Sequence, residues 1–183
     1  MNLGRDRLDW TPDIWKVIDT AVHDEFVRTT VASKFIPLHG PLPDAVTVPA
    51  DVINPDTMTI DEGAVTPLVE LWVEFGLTPQ QVAGEAQLST ALTLATRASN
   101  LLSQAEDAVL FKGDEAFKDD LFKKVQHRGS AGRGLLAAAG EVVSVAPTGT
   151  DGSQYGEHTF EAVADAYSLA QGKGHRPIAS AHW

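Results

Sequence analysis

The sequence predicts a mixed α+β fold, and three stretches carry that prediction. Apolar residues recur every three or four positions from Thr11 to about Ser33 and again from Thr78 to Gly113, which indicates two amphipathic helices. Between the helices, residues 47–75 contain short β-rich pieces separated by turn-forming residues. A chain of 183 residues is long enough for one domain with a real core, or for one and a half.

The longer helix is predicted over Thr78–Gly113 as one continuous spine. Thr78 suits the N-cap, Pro79 suits the first helical position, and Gln81 completes a capping-box pattern. About 33 helical residues at about 1.5 Å each would form a rod of about 50 Å. Gly84 lies inside the pattern and could mark a break. The apolar stripe of this helix consists of Leu88, Leu92, Ala95, Ala98, Leu102, Ala105 and Val109.

The first helix is predicted to begin at Thr11-Pro12, after an arm of about ten residues. Two interpretations of its apolar stripe stay open. The stripe packs on the rest of the fold, or part of it lines a groove for a partner peptide. The stripe consists of Ile14, Trp15, Ile18, Val22 and Phe26, with Val27 at its margin.

The stretch between the helices predicts an extended segment followed by a β-hairpin. Residues 34–49 lose the helical period and contain four prolines. The pieces TVPADVI, TMTI and VTPLVELWVEF are split by Asn54-Pro55-Asp56 and Asp61-Glu62-Gly63, which favour turns. The last piece predicts a core strand, since its residues alternate between apolar and carboxylate-bearing positions up to Phe75. A hairpin of this length is not stable alone, so we expect it to lie on another subunit.

Four elements are predicted after the spine. A short amphipathic helix over 114–126 carries Phe117, Leu121, Phe122 and Val125 as its apolar set. A strand pair about Gly140 follows, and then a loop over 147–156. A helix capped by Thr159 ends at Gly172 or Gly174, with Phe160, Val163, Ala164 and Tyr167 on one face. The final residues, from His175, begin like a buried strand.

Composition excludes several classes of protein. The net charge is −11, from 14 basic and 25 acidic residues without a basic run, which argues against a general nucleic-acid binder. There is no cysteine, and no apolar run approaches the roughly 18 residues of a membrane span. The first residues lack the apolar core of a signal peptide. We therefore expect a cytoplasmic protein without membrane or nucleic-acid partners.

The sequence also predicts a protein without enzyme activity. His23 beside Asp24 and Glu25 is the strongest metal candidate, but a solvated helix face explains these residues better. Glu106 and Asp107 are adjacent on a helix and point about 100° apart, so they do not converge on one substrate atom. An ion pair or the capping of a neighbouring loop is the favoured role for them. We expect no catalytic residue, no cofactor and no metal.

The order of the motifs resembles the N-terminal two-thirds of a family 1 encapsulin, a linocin-like shell protein of bacterial nanocompartments. The resemblance covers nearly the whole chain. Its motifs are Trp15, Ile18-Asp19 and Phe26, then Lys34-Phe35-Ile36 and Gly40-Pro41, then TPLVEL at 66–71 and Phe75-Gly76-Leu77, then EDAVLFKG at 106–113, Gly134-Leu135-Leu136 and Phe160-Glu161-Ala162-Val163. EDAVLFKG at the end of a long helix is the most specific of these motifs.

The resemblance implies the tailed-phage (Hong Kong 97 type) major capsid fold. The parts would be an N-terminal arm and helix (1–35), an extended loop and core strand (36–77), a peripheral domain with the spine helix (78–136) and a partial axial domain (137–183). It implies a structural subunit that assembles with copies of itself into an icosahedral shell around a cargo enzyme. The first helix would hold a short targeting peptide of that enzyme in an apolar groove formed by Trp15, Ile18, Val22 and Phe26.

Three departures from the family pattern qualify these expectations. Some members bind flavin near a Trp after the core strand, but Gln80 stands at the matching position, so flavin is not expected. About a dozen extra residues lie between Gly113 and Gly134. The chain stops at Trp183, where the family continues, so we expect either a truncated product or a subunit whose other half is a separate chain. The alternative function is that of a phage or prophage major capsid protein of the same fold, which neighbouring portal and terminase genes would indicate.

Overall fold

The computed structural model describes residues 5–34, 36, 39–42, 46–54, 56–63, 65–139, 142–145 and 157–174. The chain forms two compact units, Met1–Ala137 and Ala138–Trp183. The loop predicted over 147–156 and the strand predicted from His175 lie outside the described residues.

Helix α1 spans Pro12–Thr29 and begins at the predicted Thr-Pro step. The predicted end at about Ser33 is wrong. The backbone turns extended at Thr30, and a short 3₁₀ turn follows over Ala32–Lys34. The cause is the carboxylate of Asp107, which accepts hydrogen bonds from the backbone N–H groups of Val31 and Ala32. Val27 is 53% exposed and therefore does not belong to the buried stripe of α1.

The predicted hairpin is confirmed. Strands β1 (Thr47–Pro49) and β2 (Val52–Asn54) form the outgoing limb, and β3 (Thr59–Asp61) and β4 (Val65–Pro67) form the returning limb. Both pairs are antiparallel, β1 with β4 and β2 with β3. At the turn, the Asn54 side chain accepts hydrogen bonds from the backbone N–H groups of Asp56 and Thr57, at 3.0 and 3.3 Å.

The predicted core strand contributes β5 (Glu70–Trp72), which pairs antiparallel with β6 (Gln126–Arg128). The helix predicted over 114–126 is wrong, because two 3₁₀ turns, Asp114–Lys118 and Asp120–Lys123, precede β6. The amphipathic spacing is real, since Val125 is fully buried. Strand β5, about 55 positions earlier in the chain, pairs with residues 126–128, so the segment ends in a strand and not in a helix.

The single spine helix is also wrong, because the stretch is divided into α2 (Pro79–Ala83), α3 (Glu85–Leu88) and α4 (Thr90–Lys112). The capping box at Thr78 and Gln81 is confirmed. One break falls at Gly84, as the sequence suggested, and a second falls at Ser89, whose φ is +50°. Helix α4 has 23 residues and is therefore about 35 Å long.

A buried carboxylate explains the second break. Glu85 is 4% exposed, and its two oxygens accept hydrogen bonds from the backbone N–H groups of Ala91 and Leu92, at 2.8 and 3.0 Å. These donors lie in the first turn of α4 and have no partner inside the helix. A continuous helix would not bring Glu85 back to them. Because of the break, Leu88 is 59% exposed and lies outside the buried stripe.

In the second unit, helix α6 (Glu157–Gly172) confirms the predicted terminal helix. Thr159 lies inside α6 and is not its cap. The strand pair predicted about Gly140 is wrong on its first side, where Leu135–Ala138 forms a single helical turn, α5. Residues 142–145 are not in a strand. Three apolar residues on α6, Phe160, Val163 and Tyr167, are 77%, 59% and 46% exposed.

Candidate functional site

An apolar groove lies between helices α1 and α4. Its volume is about 460 Å³. Helix α1 contributes Val22 and Phe26, helix α4 contributes Ala95, Ala98, Ser99 and Leu102, Phe75 borders it from the segment after β5, and Asp19 and His23 stand at its edge. Small side chains form the floor, since Ala98 and Ser99 are 9% and 3% exposed. We call this hollow the α1–α4 groove.

The four residues predicted to hold a peptide do not all lie in this groove. Val22 and Phe26 line it. Ile18 is 7% exposed and faces a separate hollow of about 230 Å³ between α1, α3 and the start of α4. Trp15 lies on the arm side of α1, with its ring centroid 5.0 Å from that of Trp10. The structure thus brings together the second half of the predicted set and separates it from the first half.

Polar contacts hold α1 and α4 close together along the groove. Ser99 Oγ donates a 2.7 Å hydrogen bond to the Val22 carbonyl. The hydroxyl groups of Thr29 and Ser103 form a hydrogen bond of 2.5 Å, and Ser103 is fully buried. Such contacts require the helices to pack through small residues, because a larger side chain at these positions would hold the backbones apart. The apolar stripe of α4 was predicted but its two serines, Ser99 and Ser103, were not, although their spacing of four positions was the available signal.

A set of contacts, which we call the clasp, holds the arm (residues 5–10) against α1 and α2. The Arg5 guanidinium donates to both carboxylate oxygens of Asp19, at 2.6 and 2.8 Å, and lies 4.7 Å from the centroid of the Trp15 ring. Trp10 Nε1 donates a 2.8 Å hydrogen bond to the Val82 carbonyl on α2. The hydrogen bonds from Arg5 hold the pKa of Asp19 below its usual value.

The arm borders a further hollow of about 510 Å³. The hollow is lined by residues of the arm, of the start of α1 and of the stretch 77–86: Arg7, Leu8, Asp9, Trp10, Thr11, Ile14, Leu77, Pro79, Val82, Ala83, Glu85 and Ala86. Asp19 is not among these residues but stands at the edge of the α1–α4 groove. The Arg5–Asp19 pair therefore connects the arm to the groove.

Of the acidic pair at the end of α4, Asp107 caps a neighbouring segment, which is one of the two roles that the sequence favoured. Asp107 accepts hydrogen bonds from the backbone N–H groups of Val31 and Ala32, both at 2.8 Å. These bonds end α1 and direct the chain away from it. Glu106 lies beside Asp107, and burial, followed by repulsion from Asp107, raises the pKa of its carboxyl group above the usual value.

Substituting Glu106→Gln should therefore stabilise the protein at neutral pH. Ionised Glu106 destabilises the folded state above its raised folded pKa, and this cost disappears at pH values below the ordinary pKa of a glutamate carboxyl group. We expect the variant to melt above the wild type at pH 7 and at the same temperature at pH 4, in thermal unfolding followed by circular dichroism. Asp24→Asn, on the exposed face of α1, is the control. A constant difference between Glu106→Gln and wild type across this pH range would contradict the assignment.

Within the described part of the chain, no group of three His, Asp or Glu side chains is arranged to hold a metal ion. His23, the metal candidate of the sequence, stands at the groove edge one helical turn from Asp19. No helix among these residues combines the length and the apolar character that crossing a bilayer requires.

The model of the Linocin_M18 family, described as "Encapsulating protein for peroxidase", matches residues 1–168. No curated protein matches the chain.

Proposed function

Because the chain belongs to the family of encapsulating proteins for peroxidase, we propose that it is the structural subunit of a cytoplasmic nanocompartment. Copies of the chain assemble into an icosahedral shell with the tailed-phage capsid fold and enclose a cargo enzyme. The subunit itself is not an enzyme. The family match over residues 1–168 carries this proposal.

The exposed hairpin supports self-assembly. Ile53 and Ile60 face each other across β2 and β3, and their side chains are 68% and 57% exposed. Met58 at the turn is 85% exposed, and Val65 on the returning limb is 61% exposed. A two-stranded ribbon with this much exposed apolar surface gains stability by lying on a neighbour. A second copy is the partner that a closed symmetric shell supplies.

The α1–α4 groove supports the binding of cargo. Its lining is mainly apolar, and Phe26 and Phe75 border it from two different elements. Phe75 is 43% exposed, so a ligand in the groove would cover aromatic surface that is now in water. We propose that this groove receives the short targeting peptide of the cargo enzyme, with Val22 and Phe26 as contact residues. Trp15 and Ile18 then support α1 from its other sides.

Assembly is tested by negative-stain microscopy and by the mass of the purified protein in size-exclusion chromatography with light scattering. Closed particles of uniform size are the expected result. A monomer at micromolar concentration would contradict self-assembly by this chain.

Truncating Phe26 to alanine should strongly reduce the binding of cargo and should lower the stability of the fold only slightly. A fully packed core Phe costs about 3–5 kcal/mol when replaced by alanine, whereas a groove residue that is only partly covered costs less. We expect the tagged cargo to be lost from purified shells, with a small change in the thermal midpoint. Co-purification and thermal unfolding measure the two effects on one preparation.

Two further variants make this test sharper. Phe75→Ala removes an aromatic ring that borders the groove from a different element and should also reduce cargo binding. Val27→Ala, on the exposed side of α1, should change neither quantity. A large loss of stability in Phe26→Ala with cargo binding intact would show that Phe26 is a core residue and would refute the groove assignment.

A further inference from the structure

The contact between Arg5 and Asp19 joins two parts of the first unit that have different surroundings. Arg5 belongs to the arm, whose next residues border the 510 Å³ hollow. Asp19 belongs to α1 and stands at the edge of the α1–α4 groove. A change in one partner of this ion pair therefore affects both places.

Asp19 is the carboxylate of the α1–α4 groove, whose other lining residues are apolar side chains, Ser99 and His23. Arg5, from the arm, neutralises this carboxylate and donates hydrogen bonds of 2.6 and 2.8 Å to its two oxygens. Neither partner is buried, since their side chains are 43% and 50% exposed. Exposed ion pairs contribute about 0.2–1 kcal/mol, so another cation can exchange with Arg5 at little cost.

We propose that Arg5 is a replaceable occupant of a cation-binding subsite at the groove edge, and that a groove ligand with a basic side chain displaces it and releases the part of the arm before Trp10. This inference rests on the proposed function of the groove. The ligand is a peptide segment whose apolar side chains cover Phe26 and Phe75 while a lysine or arginine reaches Asp19. The net charge of −11 attracts such a segment during its approach.

Release of the arm is the second consequence of the exchange. Without the Asp19 contact, the arm retains the Trp10–Trp15 ring contact and the hydrogen bond from Trp10 to Val82. The backbone N–H of Leu8 donates to the Arg5 carbonyl at 3.2 Å, and this bond lies between the Arg5–Asp19 pair and Trp10. Faster hydrogen exchange of the Leu8 amide would therefore report the release.

Two synthetic peptides test the subsite by titration calorimetry on the assembled protein. One carries two leucines and a lysine, and the other carries norleucine in place of the lysine. Arg5→Gln should raise the affinity for the lysine peptide about two- to five-fold and leave that for the norleucine peptide unchanged. Asp19→Asn should remove the preference for lysine. Arg7→Gln, in the same arm but outside the clasp, should behave as wild type.

The outcomes separate this inference from the proposed function. Equal effects of Arg5→Gln on both peptides, or a preference for lysine that survives Asp19→Asn, would overturn the subsite and leave the groove standing. Failure of both peptides to bind any variant would overturn the groove and the subsite together. Exchange of the Leu8 amide should rise with the lysine peptide but not with the norleucine peptide. An equal rise with both peptides would refute the release of the arm through Asp19.

Discussion

Replacing Glu85 with alanine should lower the free energy of unfolding by about 2–4 kcal/mol. The substitution removes two hydrogen bonds from a carboxylate and leaves the N–H groups of Ala91 and Leu92 without their partners. Hydrogen bonds to charged groups contribute about 1.5–3 kcal/mol each, and the loss of two is partly offset because the variant no longer buries a carboxylate. Denaturant unfolding followed by circular dichroism at 222 nm measures the loss.

Two variants serve as controls for this result. Glu85→Gln keeps one acceptor oxygen and should lose about half as much stability. Ser89→Gly should be neutral or stabilising, because the residue at this break has a φ of +50°, which glycine adopts without strain. An unfolding midpoint of Glu85→Ala equal to that of wild type would mean that the carboxylate does not hold the start of α4.

Placing aspartate at both Ile53 and Ile60 should abolish assembly and leave the fold of the subunit intact. The two side chains face each other on one side of the hairpin and are mostly in water in the isolated chain. Folding of the single chain therefore loses little. At an interface between copies, two unpaired carboxylates would be buried, which costs several kcal/mol at every repeat of the contact.

Light scattering should find only small species of this double variant, with a circular dichroism spectrum like that of wild type. Thr59→Asp is the matched control, since Thr59 alternates with Ile60 and its side chain projects from the opposite side of the same strand. Shells of normal size from the double variant would refute the docking of this face on a neighbour.

The features that the sequence predicted correctly are those set by neighbouring residues. The starts of α1 and α2 follow from Thr-Pro steps, and the hairpin turn follows from Asn54, whose side chain binds the backbone two and three residues later. The break at Ser89 could not be predicted in this way. It depends on a carboxylate that reaches donors six and seven positions later, after the chain has reversed locally.

The site was predicted in part for a similar reason. A helical stripe identifies which residues avoid water, but not which of them meet another helix and which border a gap. Ile18 and Val22 are four positions apart on one stripe, yet the first is buried and the second lines the groove. Only the position of α4, fixed by contacts such as that from Ser99 to Val22, separates the two roles. Strand β6 was missed because its partner β5 lies far away in the sequence.

The contacts between α1 and α4 also have a consequence for synthesis on the ribosome. The hydrogen bond from Ser99 to Val22 joins residues 77 positions apart. At about 5–20 residues per second, α1 emerges roughly 4–15 s before its partner helix does. During that interval, the stripe from Trp15 to Phe26 has no helix to pack on, and the hairpin leaves the tunnel. The nascent chain therefore exposes the apolar stripe of α1 and the apolar side chains of the hairpin before its core has formed. In a polysome, these surfaces lie beside those of other nascent copies.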